Sequence, residues 1–296
     1  MNFIIETAEY GSANFDEMKA LWSKTFGDPE EFVEAFYDCF GADIEAYVAL
    51  DESGSVCSSL SCYKAGSYAG CPVYVSYAVC TREDCRGYGI AGELTEFVRD
   101  EVTSRGGISI VSPAEESLEE FYEKHGYDRM FFVAPRAVIA ESFEEELEEY
   151  EFDEEDDFDI VRPEADIRKI DAGLYNKYRE AYLAGVPHIE PSEEMLSAAE
   201  LACEGFYAIN NGDAICCVAE NRRGQLILSE LILSPVLLDL SSEIDSEVAQ
   251  LLAAHFGAVE VIYSTPGAGK CQSMAAGEIA ESEEGVAPPY FGFPIE

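Results

Sequence analysis

The spacing of apolar residues changes from segment to segment along the chain. Each spacing predicts a helix or a strand. In residues 14–40 the apolar side chains recur at helical spacing on either side of Gly27-Asp28-Pro29. The pattern predicts two helices, the second starting near the proline, which a first turn tolerates. Strand patterns bounded by turn-like segments follow and predict an antiparallel meander. Its three strands are expected at residues 44–50, 55–63 and 73–80.

The third strand of this meander leads into a helix. Every second residue from Val73 to Val79 is apolar or aromatic, so these side chains are expected to share one face of the sheet. From Gly89 onward the apolar period becomes helical, and Gly106-Gly107 is expected to end that helix.

A short apolar segment, residues 108–111, predicts a buried strand that runs directly into a helix. Ser112-Pro113-Ala114-Glu115 supplies serine as N-cap, proline at the first helical position and glutamate at the third. This is a capping box, so the helix is expected to begin here. Its apolar stripe includes Tyr122, and Gly126 is expected to end it. Residues 127–139 return to a strand pattern.

A strongly acidic segment separates two halves of the chain. Residues 141–159 are rich in Asp and Glu, and a block of like charges cannot pack on itself, so an exposed linker is expected there. We therefore predict a first domain at 1–140, a linker at 141–165 and a second domain at 166–296. The second half repeats the order of the first: helices, strands, a helix and a strand.

The charge balance narrows the classes of partner. The chain has 60 acidic and 18 basic residues and a formal charge of −42, which argues against nucleic acid and against anionic membranes, since both require basic surface. A cationic small molecule suits this charge better. Acidity that serves only solubility is the alternative, and the sequence leaves it open.

The cysteines and histidines suggest neither a disulfide framework nor a metal site. The ten cysteines lack the paired spacing of a zinc site and the density of a small secreted scaffold, so they are interpreted as reduced thiols. The three histidines lie far apart in the sequence, and no metal is expected. No apolar stretch approaches the roughly 20 residues that span a bilayer, so a soluble, cytoplasmic protein is expected.

The stretch 73–91 combines a strand, a charged turn and a glycine-rich entry into a helix. Unpaired N–H groups and the helix dipole at such an entry favour a phosphate. Residues 87–92 match the GxGxxG pattern of dinucleotide sites. That fingerprint requires the strand to run straight into the first glycine, whereas the segment 81–86, with four charged residues, intervenes here. A different phosphate site is therefore indicated.

The segment Arg86-Gly87-Tyr88-Gly89-Ile90-Ala91 resembles the pyrophosphate loop Q/R-x-x-G-x-G/A of the GNAT superfamily of acetyl-CoA-dependent N-acetyltransferases. The resemblance implies that acetyl-CoA is the co-substrate. It also implies that the strand before the loop pairs with the pantetheine arm. The residues so implied to bind the cofactor are Val79, Thr81, Arg86, Gly87, Tyr88, Gly89, Ile90 and Ala91.

A second segment, Phe121-Tyr122-Glu123-Lys124-His125-Gly126-Tyr127, resembles the late (F/L)YEKxGF segment of the same family. In that segment the tyrosine is the usual general acid that protonates the departing CoA thiolate. The resemblance therefore implies that Tyr122 is catalytic. A tyrosine that serves only core packing is the alternative suggested by the helix pattern alone.

The two halves together resemble the tandem acetyltransferases of the enhanced-intracellular-survival type. The implied fold class is α/β (α+β), with tandem GNAT folds, each a mixed, mostly antiparallel sheet flanked by helices. In those relatives the terminal carboxylate reaches the active site, which would be Glu296 here. The second half lacks the phosphate loop, since residues 234–241 contain no glycine, so it is expected to be a degenerate copy.

The function implied by these resemblances is transfer of the acetyl group of acetyl-CoA to a primary amine. The acceptor is expected to be a small molecule, polycationic by the charge argument, or a peptide or protein amine. The alternative is a non-catalytic sensor that binds CoA or acyl-CoA. No general base stands out among the many carboxylates, and the sequence leaves the oligomeric state open.

Overall fold

The computed structural model of the protein describes residues 2–140, 166–238, 244–266, 269–277 and 289–292. The α-helices are α1 Ala13–Phe26, α2 Glu30–Phe40, α3 Ile90–Ser104, α4 Glu119–Lys124, α5 Ala172–Tyr182, α6 Glu193–Ala202, α7 Pro235–Leu238 and α8 Ile244–Phe256. The strands are β1 Phe3–Ala8, β2 Ile44–Asp51, β3 Val56–Tyr68, β4 Cys71–Thr81, β5 Ile108–Val111, β6 Asp128–Ile139, β7 Ile167–Ile170, β8 Glu190–Pro191, β9 Gly205–Ile209, β10 Ala214–Arg222, β11 Gln225–Leu233, β12 Glu260–Pro266 and β13 Lys270–Ala276.

The chain divides into two compact units, and neither is continuous in sequence. Unit 1 comprises residues 1–133, 185–202 and 267–296, and the rest of the described chain belongs to unit 2. This division differs from the contiguous domains predicted at 1–140 and 166–296. The reason is that α6 packs on α2 and β13 joins the first sheet, so two segments of the second half are built into unit 1. The predicted linker, 141–165, lies outside the described residues.

Unit 1 is built on a sheet with the strand order β1-β2-β3-β4-β5-β13-β6. Its neighbours run antiparallel, except that β4 and β5 are parallel. The predicted meander is confirmed as β2, β3 and β4. On one face, Leu94, Val98 and Val102 of α3 pack against β2 and β3. On the other face, Trp22 and Phe36 of α1 and α2 meet the aromatic rings of the sheet.

Strand β13 comes from near the end of the chain and lies between β5 and β6. Its Met274 is fully buried in a cluster with Val111, Tyr122 and Tyr127. The sequence pattern did not predict this strand, which begins at Lys270.

The capping box at residues 112–115 does not form. The hydroxyl of Ser112 is hydrogen-bonded at 2.8 Å to that of Ser273 in β13, so it does not cap a helix. The chain instead enters a short 3-10 helix at Glu116 and then α4 at Glu119. The predicted helix start at this box is therefore wrong, because a partner distant in sequence takes up the capping oxygen.

Unit 2 has a sheet in which β11 and β12 are parallel while β10 is antiparallel to β9 and β11. Helix α8 covers one face and forms a large aliphatic core with β9 to β12. A buried ion pair lies elsewhere in the unit: Arg179 Nε is 3.0 Å from Glu230 Oε1, and Tyr175 donates to the same carboxylate at 2.7 Å. Each unit thus carries a mixed, mostly antiparallel sheet with helices, which confirms the predicted α/β (α+β) fold class.

The position of β13 in the core predicts a stability cost for shortening Met274. Because this side chain is fully buried, Met274→Ala should lower the free energy of unfolding by about 2–5 kcal/mol, measured by urea denaturation. Met130→Ala, at a half-buried position of β6, is the matched control and should cost clearly less. Equal losses of unfolding free energy in the two variants would show that β13 is not part of the core.

Candidate functional site

The site begins where β4 and β5 part. Their parallel pairing covers only Val73 to Ser76 on β4. Two residues later Ala78 has a left-handed φ of 53°, and the pairing of β4 with β3 shifts register there. This is a β-bulge, which bends the strand and reverses which face its later side chains occupy. Among the described residues, the end of β4 therefore has no strand partner on its β5 side.

The bulge corrects one prediction about β4. Val79 packs with the α3 cluster, whereas Tyr77 meets Trp22 and Phe36 on the opposite face. The side chains from Val73 to Val79 therefore do not share one face, because the extra residue at Ala78 shifts the alternation by one.

The backbone of Val79 and Thr81 points to the open edge of β4. The N–H of Arg82 donates to the carbonyl of Cys57 on β3 at 2.9 Å. Since backbone groups alternate sides along a strand, those of Thr81 and Val79 face away from β3. An extended ligand can add itself to such an edge as a further strand.

The glycine-rich loop follows directly and exposes its amides. Gly87 and Gly89 have φ of 82° and 79°, a left-handed conformation that glycine adopts without strain. Gly89 is the N-cap of α3, and no side chain of the described residues makes a capping hydrogen bond to this helix start. The amides of the first turn therefore remain available, and together with the helix dipole they favour an anion.

The base of the loop is held by Arg82. Its guanidinium contacts Asp51 Oδ2 at 2.9 Å, Asp84 Oδ1 at 2.7 Å and the carbonyl of Val56 at 3.0 Å. Hydrogen bonds from Ser53 and from Arg82 lower the pKa of Asp51, so this carboxylate stays ionised at neutral pH. The network ties the loop to the β2–β3 turn.

Arg86 remains exposed at the loop. Its Nε donates to the carbonyl of Thr81 at 3.1 Å, and no ion pair engages it within the part of the chain that the structure describes. Three other cations of unit 1 are paired: Arg82 with Asp51, Arg105 with Glu45 and Lys124 with Glu120. Arg86 is thus the cation best placed to meet a phosphate group.

A cavity of about 300 Å³ opens above the loop. Six of the eight residues predicted to bind the cofactor line this cavity. The other two, Val79 and the exposed Tyr88, do not line it. Sequence reasoning missed three of the lining residues, although Gly92 belongs to the literal glycine pattern and Phe121 precedes Tyr122. The lining residues are Thr81, Cys85, Arg86, Gly87, Gly89, Ile90, Ala91, Gly92 and Phe121.

Tyr122 lies next to this cavity on α4. Its ring is 5.1 Å from that of Phe121 and 6.0 Å from that of Tyr127, and only 7% of the residue is exposed. Burial raises the pKa of Tyr122 to about 12. The phenol is therefore protonated at neutral pH and carries a proton that it can donate.

The chemistry of this site suits a pyrophosphate with an extended amide arm. Uncapped amides and Arg86 supply positive charge for the phosphates, and the open edge of β4 supplies backbone partners for the arm. Within the described residues there is no group of three or more His, Cys, Asp or Glu side chains arranged to hold a metal ion. Nor does the described chain contain a helix of the length and apolarity that crossing a bilayer demands.

Comparison with known families agrees with this chemistry. Residues 15–127, which carry the open edge, the loop and Tyr122, match the model of the acetyltransferase (GNAT) family. A comparison with curated proteins finds no match.

Solved structures of similar fold extend over both units. A GCN5-related N-acetyltransferase from Anabaena variabilis aligns with 93% of this chain and 72% of its own, with a TM-score of 0.62 and 15% identity. One from Kribbella flavida covers 88% and 64%, with a TM-score of 0.57 and 16% identity. Eis1 from Mycobacterium abscessus covers 88% and 65%, with a TM-score of 0.54 and 11% identity. The likeness at these identities is one of fold.

The exposed guanidinium of Arg86 predicts a measurable role in binding. Arg86→Ala should weaken the binding of CoA about tenfold in calorimetry, because a charged hydrogen bond to a phosphate is lost. Arg168→Ala, at an exposed arginine of unit 2 that pairs with Asp166, should leave the dissociation constant unchanged. An unchanged constant for Arg86→Ala would remove this residue from the phosphate site.

Proposed function

Because residues 15–127 match the model of the acetyltransferase (GNAT) family, we propose that the protein transfers the acetyl group of acetyl-CoA to a primary amine. The single observation that supports this best is one continuous arrangement. The open end of β4, the uncapped start of α3 and the cavity above it lie together. Tyr122 stands next to that cavity through its contact with Phe121.

The residues of the loop bind and orient the cofactor in this proposal. Acetyl-CoA, when bound, supplies an acetyl group activated as a thioester. The amides at residues 87–91 and the guanidinium of Arg86 hold the pyrophosphate. The backbone of Val79 and Thr81 aligns the arm along β4, and oriented strand amides of this kind stabilise negative charge that develops on a carbonyl oxygen.

Tyr122 is the proposed general acid. Its hydroxyl keeps its proton until the pH approaches its pKa of about 12, so at neutral pH it can transfer this proton to the thiolate that leaves. The apolar neighbours of the ring, Phe121 and Tyr127, limit the access of water. This environment strengthens the hydrogen bond that forms as charge develops on the sulfur.

The acceptor is proposed to be a small-molecule or peptide amine. The net charge of −42 favours a polycationic amine, since a strongly acidic surface concentrates cations around the protein. The amine must lose its proton before it attacks, and no side chain is assigned as the base. Glu296, whose carboxylate would reach the active site by resemblance to the tandem acetyltransferases, lies outside the described residues.

Removing the phenol hydroxyl tests the role of Tyr122. Tyr122→Phe should lower kcat about 100-fold, the order of magnitude that general acids contribute, while the dissociation constant for acetyl-CoA stays within about twofold. Steady-state kinetics and calorimetry measure the two quantities. Tyr68→Phe, at another buried tyrosine of unit 1, is the control and should keep wild-type kcat. A Tyr122→Phe enzyme with full turnover would exclude the proposed acid.

Transfer itself is tested by release of the free thiol of CoA. Acetyl-CoA and a panel of polyamines, aminoglycosides and peptide amines should give thiol at a rate that depends on the amine. Calorimetry should show binding of CoA and none of NAD, which would exclude the dinucleotide interpretation of residues 87–92. Binding of CoA without thiol release from any amine would favour a sensor over an enzyme.

A further inference from the structure

We propose that His125 is a positioning residue that fixes α4, and with it Tyr122, against the first turns of α3. The inference rests on the proposed function, because it assigns His125 to the placement of the general acid. His125 follows α4 directly, and its ring fills the space between that helix and α3.

Two polar contacts join His125 to α3. Its Nδ1 lies 2.8 Å from Glu96 Oε1, and its carbonyl accepts a hydrogen bond from Arg99 Nη1. Glu96 and Arg99 lie about one turn apart on the same helix. The end of α4 is therefore tied to α3 through a side chain and through the backbone of one residue.

The ring of His125 also occupies the space that a side chain at position 92 would need. A Cβ added to Gly92 would lie 2.3 Å from His125 Cε1 and 2.5 Å from Nε2. Gly92 does not have the left-handed φ of Gly87 and Gly89. Glycine at this position is required by the close approach of His125 and not by the backbone conformation.

On the side of α4, His125 acts on residues next to the reaction centre. The ring centroid of His125 is 4.6 Å from that of Phe121. The backbone N–H of His125 donates to the carbonyl of Tyr122 at 3.0 Å. Gly92 and Phe121 both line the cavity above the loop. His125 thus contacts both walls of the cavity and sets their separation, and that separation determines where the phenol of Tyr122 lies.

A set of four variants tests this role: G92A, H125A, the double variant and H125N. G92A should lower kcat about tenfold, since a displacement of about 1 Å is enough for such a loss. H125A should also lower it about tenfold. In the double variant the alanine at position 92 has room, so kcat should be no lower than in H125A alone. H125N places an amide nitrogen near the position of Nδ1 and should keep kcat within about threefold of wild type.

Two further measurements separate positioning from other effects. The dissociation constant for CoA should stay within about threefold in H125A and H125N, because neither substitution changes the loop amides or a residue that lines the cavity. Hydrogen–deuterium exchange of the ligand-free protein should rise across residues 119–125 in G92A and H125A but not in H125N. Glu101→Gln, at an exposed position of α3, is the control. Its kcat, its dissociation constant for CoA and its exchange should match those of the wild type.

The outcomes distinguish this inference from the proposed function. Absence of turnover by the wild type with every amine would refute the function, and the exchange data would still decide whether His125 fixes α4. Wild-type exchange across residues 119–125 in both G92A and H125A would overturn the inference. The inference would also be overturned if G92A lowered kcat by the same factor in the wild-type protein and in the H125A variant.

Discussion

Four residue pairs hold β4 and β5 together, and beyond Ser76 the two strands share no hydrogen bonds. In a sheet, an unpaired edge inside a folded unit is costly unless something satisfies its backbone groups. Here the edge opens beside the start of α3, which no side chain of the described residues caps, so backbone groups of the strand and of the helix converge on one cavity. The bulge at Ala78 bends β4 at this point, the glycines of the loop expose its amides, and the Arg82 network ties the loop to the β2–β3 turn. The chemistry proposed for the protein depends on this arrangement.

Much of unit 1 could be predicted from the sequence, because its elements are specified by neighbours in the chain. The apolar period of α3 and the loop from Arg86 to Ala91 are local patterns, and their physical meaning needs no tertiary partner. The bulge at Ala78 could not be predicted in this way. A period-two pattern assumes regular pairing, and one extra residue moved Val79 to the opposite face of the strand.

The other features that sequence patterns failed to predict have one cause, which is contact between segments far apart in sequence. Strand β13 contains lysine, glutamine, serine and alanine, and its strand conformation comes from β5 and β6 on either side rather than from its own pattern. Ser112 had the sequence of an N-cap, but Ser273 competes for its hydroxyl. The His125 contact was equally hidden, since neither Gly92 nor Glu96 reveals from the sequence that a histidine packs over it.

The location of β13 has a consequence for the order in which the protein is made. Residues 270–276 leave the ribosome after the whole of residues 134–266, yet they fill the space between two strands of the N-terminal sheet. Unit 1 therefore cannot complete its core until unit 2 has been synthesised. The protein cannot fold one domain at a time from the N-terminus. Until β13 arrives, the facing edges of β5 and β6 stay unpaired in the nascent chain, and this interval is when the protein is most exposed to wrong strand pairing.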